Sequence, residues 1–424
     1  MEGPKLTLRL LQPLRNPPVA LLWGGLSAAA LGDQLFGVVL SWVAVALLGT
    51  AAGYLAAAQS VGMLATAVLA GAWADRIEHR RLMVLADLLR AAALLGIAAA
   101  WWITGAPVVW TLFAGVFLVA AGMGLYRPAM QTVVPALVAD IRELPATNAL
   151  IDTTERIARL LGPAFVGVTT GWVPLVVFVL LNAAGFVISA VTTLGIIRRM
   201  PAPASAARRV GLWSAILRGF AAVRQHRLLW FVLGISLPLN GAWFTVFFVG
   251  LPLIIERAGM SAPGGGGGLA AYGLIMTGYG GANLLTTLAV GRSGLPRRPG
   301  RTVFTGNLLL AAGIVLMGIA PLLVAPGHLF WWLFAAACLA APGGPMHDVT
   351  VATLRQIALP RADMAAAIRA FMVVNHVGAL AAMLVAPSLF NTIGVAPTVL
   401  LCGTVILAVA ATGLWRHGRS ELAG

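Results

Sequence analysis

Residues 18–47 read PVALLWGGLSAAALGDQLFGVVLSWVAVAL, a run of thirty residues with one charged side chain, Asp33. Such a run is long enough to cross a hydrocarbon core of about 30 Å as a helix. It lacks the two-residue alternation of a transmembrane strand, and only helices and closed barrels satisfy the backbone in lipid. The stretch therefore predicts a membrane-spanning helix with a carboxyl group near its middle.

Similar apolar runs recur along all 424 residues, of which 60% are hydrophobic and only 10% charged. A soluble domain carries about 25% charged residues. The pattern predicts an all-α membrane protein with twelve transmembrane helices in two pseudo-symmetric six-helix bundles. The predicted spans are 18–47, 52–73, 82–103, 108–127, 147–170, 173–197, 228–255, 269–291, 302–325, 328–346, 362–388 and 392–415.

One long connection divides these spans into two sets of six. We expect an N-terminal bundle over 1–197, a cytoplasmic linker over 198–227 and a C-terminal bundle over 228–424. Apolar residues between 212 and 223 share one helical face, flanked by arginines. This pattern indicates an amphipathic helix on the membrane surface or, alternatively, an extension of the seventh span. Two parallel bundles would place a substrate between them near the midplane.

The net charge of +15 comes from arginines that lie between the spans. This distribution is typical of membrane topology and does not indicate nucleic-acid binding. By the positive-inside rule we expect a multi-pass protein of the bacterial inner membrane with both termini cytoplasmic. We also expect a monomer surrounded by lipid.

The loop between spans two and three reads GAWADRIEHRR from Gly71 to Arg81. It resembles the signature loop of the major facilitator superfamily, apart from Glu78 and His79. Residues 14–170 further resemble a drug- and siderophore-exporter-like branch, similar to the enterobactin exporter. Residues 361–371 also resemble lysophospholipid flippases of the same superfamily. The resemblance implies export of a small organic molecule, with a lysophospholipid as the alternative substrate.

Small residues in the fifth span resemble the antiporter motif of that superfamily. The matching positions are Gly162, Pro163 and Gly167, whereas Ala149 and Ala158 stand where glycine is usual. Small residues allow helices to approach closely, and proline removes a backbone donor. The resemblance implies export by exchange with protons. The alternative is ordinary packing of small residues.

A carboxyl group inside a bilayer is costly, so Asp33 is the first candidate for proton or substrate binding. No basic residue lies within a helical turn of it, and desolvation favours its neutral form. The alternative is a carboxyl satisfied by amide or hydroxyl neighbours, without a transport role. The predicted proton- or substrate-binding residues are Asp33, Gln34, Gln59, Asn240, Asn375 and His376.

Charged residues near the cytoplasmic ends of the spans predict a gate network. Asp75 lies where it could cap the start of the third helix or accept hydrogen bonds from arginines across that face. In an alternating-access carrier such bonds close in one state and break in the other. The i,i+4 spacing in the fifth span also permits two ion pairs, of either dynamic or structural character. The predicted gate residues are Gly71, Asp75, Arg76, Arg80, Arg81, Asp152, Glu155, Arg156 and Arg159.

Two further features favour structural roles. Asp87 and Arg90 form an i,i+3 pair in the third span. Cys338 and Cys402 both lie inside apolar runs, which is typical of packing residues rather than of a disulfide or a metal site.

Motifs of enzymes and of ATP-driven pumps are absent from the sequence. It contains no ATP-binding loop, no zinc-protease helix and no hydrolase elbow. We therefore expect no cofactor, no metal and no enzymatic activity. Gradients would then supply the energy, and the expected partners are a small-molecule substrate and protons. A non-transporting membrane receptor or scaffold is the alternative from another class.

Overall fold

The computed structural model describes residues 11–69, 77–138, 143–199, 212–293, 296–360 and 363–418. These residues are helical almost throughout, and none of them forms a strand. The α-helices are α1 Pro17–Leu48, α2 Ala52–Leu69, α3 His79–Thr104, α4 Val109–Leu137, α5 Leu144–Thr169, α6 Leu175–Arg199, α7 Leu212–Arg224, α8 Arg227–Phe244, α9 Leu251–Arg257, α10 Gly267–Ser293, α11 Pro299–Leu323, α12 Pro326–Ala340, α13 Gly343–Ala358, α14 Met364–Thr392 and α15 Val395–His417.

Nine helical segments in the described ranges are long and apolar enough to cross a membrane. The first, Pro17–Thr66, covers the first predicted span and residues 52–66 of the second, with a 3-10 turn at Gly49–Ala51 between them. Gly49 ends α1 because its φ of 55° lies in the left-handed region that favours glycine. The predicted all-α membrane fold is confirmed.

The tenth predicted span, 328–346, is too short. After a turn at residues 341–342, the chain continues as α13 and reaches Ala358. The resulting segment from Pro326 to Ala358 is 33 residues long. Polar residues in α13 lower the local hydropathy, so the apolar run ends before the helix does. Pro345 lies in the first turn of α13, where a proline needs no backbone donor.

Unit 1 comprises Met1–Val39, Val61–Gly162 and Val173–Gly211. Within it α1 and α6 lie close together, because glycines leave room for the opposing backbone. A methyl group at Gly185 would lie 2.7 Å from the carbonyl oxygen of Ala28. The core between α1, α3 and α4 is built from Leu22, Met83 and Tyr126, among others. Small residues at helix contacts are the usual solution in lipid.

Unit 2 comprises Leu40–Ser60, Pro163–Trp172 and Leu212–Gly424. It therefore includes one end of α1, of α2 and of α5 together with all helices from α7 onward. Gly53 of α2 packs on α14, where a methyl group would lie 2.9 Å from the carbonyl oxygen of Met383. The division into bundles at 198–227 stays a prediction.

The predicted amphipathic helix exists as α7. Its buried residues pack on α14, since Gly219 lies directly against the backbone of Ala366. At the same contact Arg218 lies 3.9 Å from Asp363. The buried face of α7 therefore contacts protein, whereas Leu217 and Arg224 are exposed.

A π-helical turn, Thr245–Gly250, joins α8 to α9. Such turns are rare and are frequent at functional sites. Trp243 lies just before this turn, and Phe247 lies within it. The centroids of the Trp243 and Phe247 rings are 5.4 Å apart.

Candidate functional site

The side chain of Asp33 is half-buried in unit 1, next to an amide. Asn182 of α6 donates a hydrogen bond from Nδ2 to Asp33 Oδ1, at 3.3 Å. Gly32 makes this approach possible, because a methyl group there would lie 2.7 Å from Asn182 Oδ1. The neighbour is thus the amide foreseen by the alternative interpretation. An amide donor carries no charge, so this contact is a hydrogen bond and not an ion pair.

An ion pair lies in the core of the same unit. Arg90 and Asp87 of α3 contact each other, and both side chains are almost fully buried. The Arg90 guanidinium also lies over two rings, 4.6 Å from the centroid of Tyr126 and 4.0 Å from that of Phe186. Among charged groups, Arg90 acts most strongly on the Asp33 carboxyl. The predicted i,i+3 pair is therefore formed, and Arg90 is the member of the pair whose charge acts on Asp33.

Space for this arginine comes from a glycine on α4. A methyl group at Gly122 would lie 2.5 Å from Arg90 Cγ and 3.0 Å from the carbonyl oxygen of Ala86. The pair is not fully satisfied, because Asp87 Oδ2 and Arg90 Nε are buried and have no hydrogen-bond partner in the described residues. A buried polar atom without a partner is costly in a low dielectric.

The predicted gate is only partly within the described residues. Gly71, Asp75 and Arg76 lie outside them. Glu78, which departs from the superfamily pattern, pairs with both neighbouring arginines. Its oxygens lie 2.7 Å from Arg80 and 3.2 Å from Arg81. This local carboxylate therefore pairs with the two arginines that we assigned to the gate.

The fifth span contains one of its two proposed pairs. Asp152 and Arg156 of α5 are 3.0 Å apart, as the i,i+4 spacing suggested. Glu155 instead lies 3.6 Å from Arg127 of α4, and no ion pair with Arg159 forms among the described residues. The helix α4 continues to Leu137, past the predicted end at 127.

Residues of the antiporter-like motif contact different helices. Gly162 packs on α1 in unit 1, where a methyl group would lie 2.5 Å from Gln34 Cβ. Gly167 belongs to unit 2 and packs on α10. A methyl group at Gly273 would lie 2.8 Å from the Gly167 nitrogen and 2.9 Å from the Pro163 carbonyl oxygen. Both glycines therefore permit backbone-to-backbone packing.

Two of the predicted polar residues meet in unit 2. Asn240 of α8 donates from Nδ2 to Asn375 Oδ1, at 3.1 Å, and to the Ser236 carbonyl, at 2.9 Å. His376 is the next residue on α14 and is half-buried. Gln59 is also half-buried in unit 2, whereas Asp33 and Gln34 belong to unit 1. Within the predicted set, the structure therefore brings Asn240 and Asn375 together, through a hydrogen bond in unit 2.

Sequence reasoning missed two polar residues in α13. His347 is buried, and its Nδ1 lies 3.3 Å from Asn307 Oδ1 of α11. Asp348 is exposed on the next position. Both were assigned to a loop, because the predicted tenth span ended at 346. Extending the helix to Arg355 would have identified them as polar residues inside a span.

Several helices are long and apolar enough to span a membrane, and one of them, α1, carries the carboxyl group of Asp33. Both features are found in multi-pass membrane carriers. Residues 22–383 match the Major Facilitator Superfamily, and the chain belongs to it. The predicted superfamily is confirmed, and the protein is a transporter in a multi-pass membrane fold.

Relatives of this chain include a drug exporter. The multidrug efflux pump Tap of Mycobacterium bovis (strain BCG / Pasteur 1173P2) is 27% identical over 276 residues. The alignment covers 59% of this chain and 64% of the pump. The pump of the same name from Mycobacterium tuberculosis (strain ATCC 25618 / H37Rv) gives the same values. The chain thus spans slightly less than two thirds of these relatives' length.

Solved structures share the fold at low sequence identity. A POT family transporter in complex with a thioalcohol conjugated peptide has a TM-score of 0.72 at 14% identity, and covers 94% of this chain and 95% of its own. The POT family transporter PepTSo has a TM-score of 0.71 at 13% identity, and covers 94% and 97%. These similarities establish the fold alone.

Proposed function

We propose that the protein is an exporter of small organic, drug-like molecules that exchanges them for protons. The observation that carries the proposal is the Asp33 carboxyl, which is held by a neutral amide and lies in the field of Arg90. A carboxyl in this setting can take up and release a proton as its surroundings change. The similarity to a multidrug efflux pump supports the export of drug-like compounds.

The proton gradient supplies enough energy for this exchange. One net charge moved through 100 mV corresponds to about 2.3 kcal/mol, or roughly fifty-fold accumulation of an uncharged substrate that is exchanged for one proton. Arginines at the ends of the spans favour an orientation with both termini in the cytoplasm, in a bacterial inner membrane. We further propose that the Glu78, Arg80 and Arg81 cluster belongs to the cytoplasmic gate.

The test uses purified protein in liposomes with an imposed pH gradient. Ethidium is the transported probe, and a pH-sensitive dye inside the vesicles records proton movement. We expect Asp33→Asn to lower gradient-driven ethidium accumulation at least about tenfold, because an amide cannot release a proton. Glu256→Gln, an exposed carboxyl at the end of α9, is the matched control and should behave like the wild type.

Three other results would contradict proton-coupled export of drug-like molecules or the role of Asp33 in it. Full gradient-driven accumulation by Asp33→Asn would remove Asp33 from the coupling mechanism. Inhibition of ethidium transport by lysophospholipid, together with lysophospholipid movement across the bilayer, would favour the flippase alternative. Strong competition by a catecholate siderophore would favour siderophore export.

A further inference from the structure

The ends of three helices meet at one corner of unit 2. Helix α8 begins at Arg227, α11 begins at Pro299 and α15 ends at His417. The His417 ring centroid lies 5.0 Å from that of Phe231 on α8 and 6.3 Å from that of Phe304 on α11. Each of the three helices belongs to a segment that is long and apolar enough to cross a membrane. Because these segments begin or end at the corner, we expect it at the level of the phospholipid headgroups.

The titratable groups at this corner are basic. The groups whose charge acts on His417, among the residues that the structure describes, are Arg416, Arg227 and His226. Both arginines are exposed, and neither forms an ion pair with a described residue. By contrast, Arg218 on the neighbouring helix α7 lies 3.9 Å from Asp363. Two guanidinium groups that act on one histidine, without a carboxylate to balance them, favour an anion from outside the chain.

An exposed tryptophan accompanies each of these two arginines. Trp230 lies three residues after Arg227 on α8, so the two side chains share one face of the helix. The Trp230 side chain is 44% exposed, and the Phe220 ring of α7 packs edge-on against it, with centroids 6.5 Å apart. Trp415 precedes Arg416 on α15 and is 81% exposed. Exposed tryptophans at the ends of membrane spans are typical of the region between headgroups and acyl chains.

We propose that Arg227 and Arg416 bind the phosphate group of one anionic phospholipid, and that Trp230 contacts its glycerol and upper acyl region. Guanidinium groups donate hydrogen bonds to phosphate oxygens, and basic sites between the cytoplasmic ends of membrane helices suit anionic headgroups. A free phosphate ion has no apolar part for the tryptophan, and a zwitterionic lipid adds a cation that the arginines repel. The occupant is therefore a lipid such as phosphatidylglycerol. This site is independent of the proposed transport function, because it uses neither Asp33 nor a transported molecule.

Lipid binding to the purified full-length protein in detergent micelles tests the site. Microscale thermophoresis measures the Kd of dioleoylphosphatidylglycerol and of dioleoylphosphatidylcholine, which share their acyl chains. We expect the wild type to bind the anionic lipid at least about tenfold more tightly, and Arg227→Gln/Arg416→Gln to reduce this preference below about twofold. Arg227→Lys/Arg416→Lys keeps both charges and should retain the affinity within about threefold. Arg218→Gln is the matched control, because Asp363 already balances Arg218, and it should change the Kd less than about twofold.

Further measurements distinguish this lipid site from a general attraction of anions. The thermal unfolding midpoint of each variant without added lipid identifies misfolding, and Arg227→Gln alone replaces the double variant if that one is unstable. Equal affinity of the wild type for the two lipids, or an unchanged preference in Arg227→Gln/Arg416→Gln, would overturn the site. An equal loss of affinity in Arg218→Gln would overturn it as well, since any exposed arginine would then suffice. Displacement of phosphatidylglycerol by excess inorganic phosphate would indicate a site for a soluble anion and contradict the lipid assignment, whereas its retention supports a lipid.

Discussion

Replacing Arg90 by methionine should lower the free energy of unfolding by roughly 3–5 kcal/mol, the usual cost of leaving one partner of a buried ion pair uncompensated. The structure supports the upper part of that range. Asp87 is 0% exposed and Arg90 is 2% exposed, so water cannot replace the lost partner. Methionine fills much of the volume of the arginine stem, so the loss reflects charge rather than a cavity.

The guanidinium also loses two ring contacts, at 4.0 Å from Phe186 and 4.6 Å from Tyr126. Each such contact is worth about 2 kcal/mol when it is shielded from water. The double variant Asp87→Asn/Arg90→Met removes both charges and should regain about 2 kcal/mol relative to Arg90→Met. A positive coupling energy of that size would identify the pair as the source of the loss.

Arg127→Met is the matched control in the same unit. Arg127 is 49% exposed and lies 3.6 Å from Glu155, so its removal should cost less than about 1 kcal/mol. The measurement is equilibrium unfolding in mixed detergent and SDS micelles, followed by circular dichroism. Equal losses for Arg90→Met and Arg127→Met would refute the reasoning that burial sets the value of this ion pair.

Two further variants test packing and capping. Gly273→Ala should lower the free energy of unfolding by about 1–3 kcal/mol, because the added methyl group meets the backbone of Gly167. Gly291→Ala on the same helix is the control, since its methyl group enters open space and should leave the free energy of unfolding unchanged. Equal unfolding midpoints for Gly273→Ala and Gly291→Ala would exclude a tight contact between Gly273 and Gly167. Burial lowers the pKa of His226, whose Nδ1 accepts a hydrogen bond from the Leu229 N–H at the start of α8. The folded state therefore favours neutral His226. The free energy of unfolding should be highest above pH 6.5 and should decrease as the pH is lowered below 6.5. His226→Asn caps without titrating, so its unfolding midpoint should change less between pH 7.5 and 5.5; an identical pH dependence would argue against the cap.

Local patterns predicted the helices well where the hydropathy was uniform. The first span was expected at 18–47 and extends over Pro17–Leu48. The prediction was wrong at the tenth span, because Asp348 and Arg355 lower the hydropathy of a helix that nevertheless continues. Hydropathy alone therefore underestimates the length of a helix that carries polar residues near one end.

The order of apolar and charged residues was sufficient to predict that this protein spans a membrane, that it is helical, and that it carries a carboxyl group within its first span, at position 33. These are local or compositional properties, because each helix must satisfy its own backbone in lipid. The partners of that carboxyl came only from the tertiary structure. Asn182 is 149 residues away in the chain, and Arg90 acts from a third helix. Which side chains meet depends on helix rotation and on close approaches at glycines such as Gly32 and Gly122, and both are set by packing between distant segments.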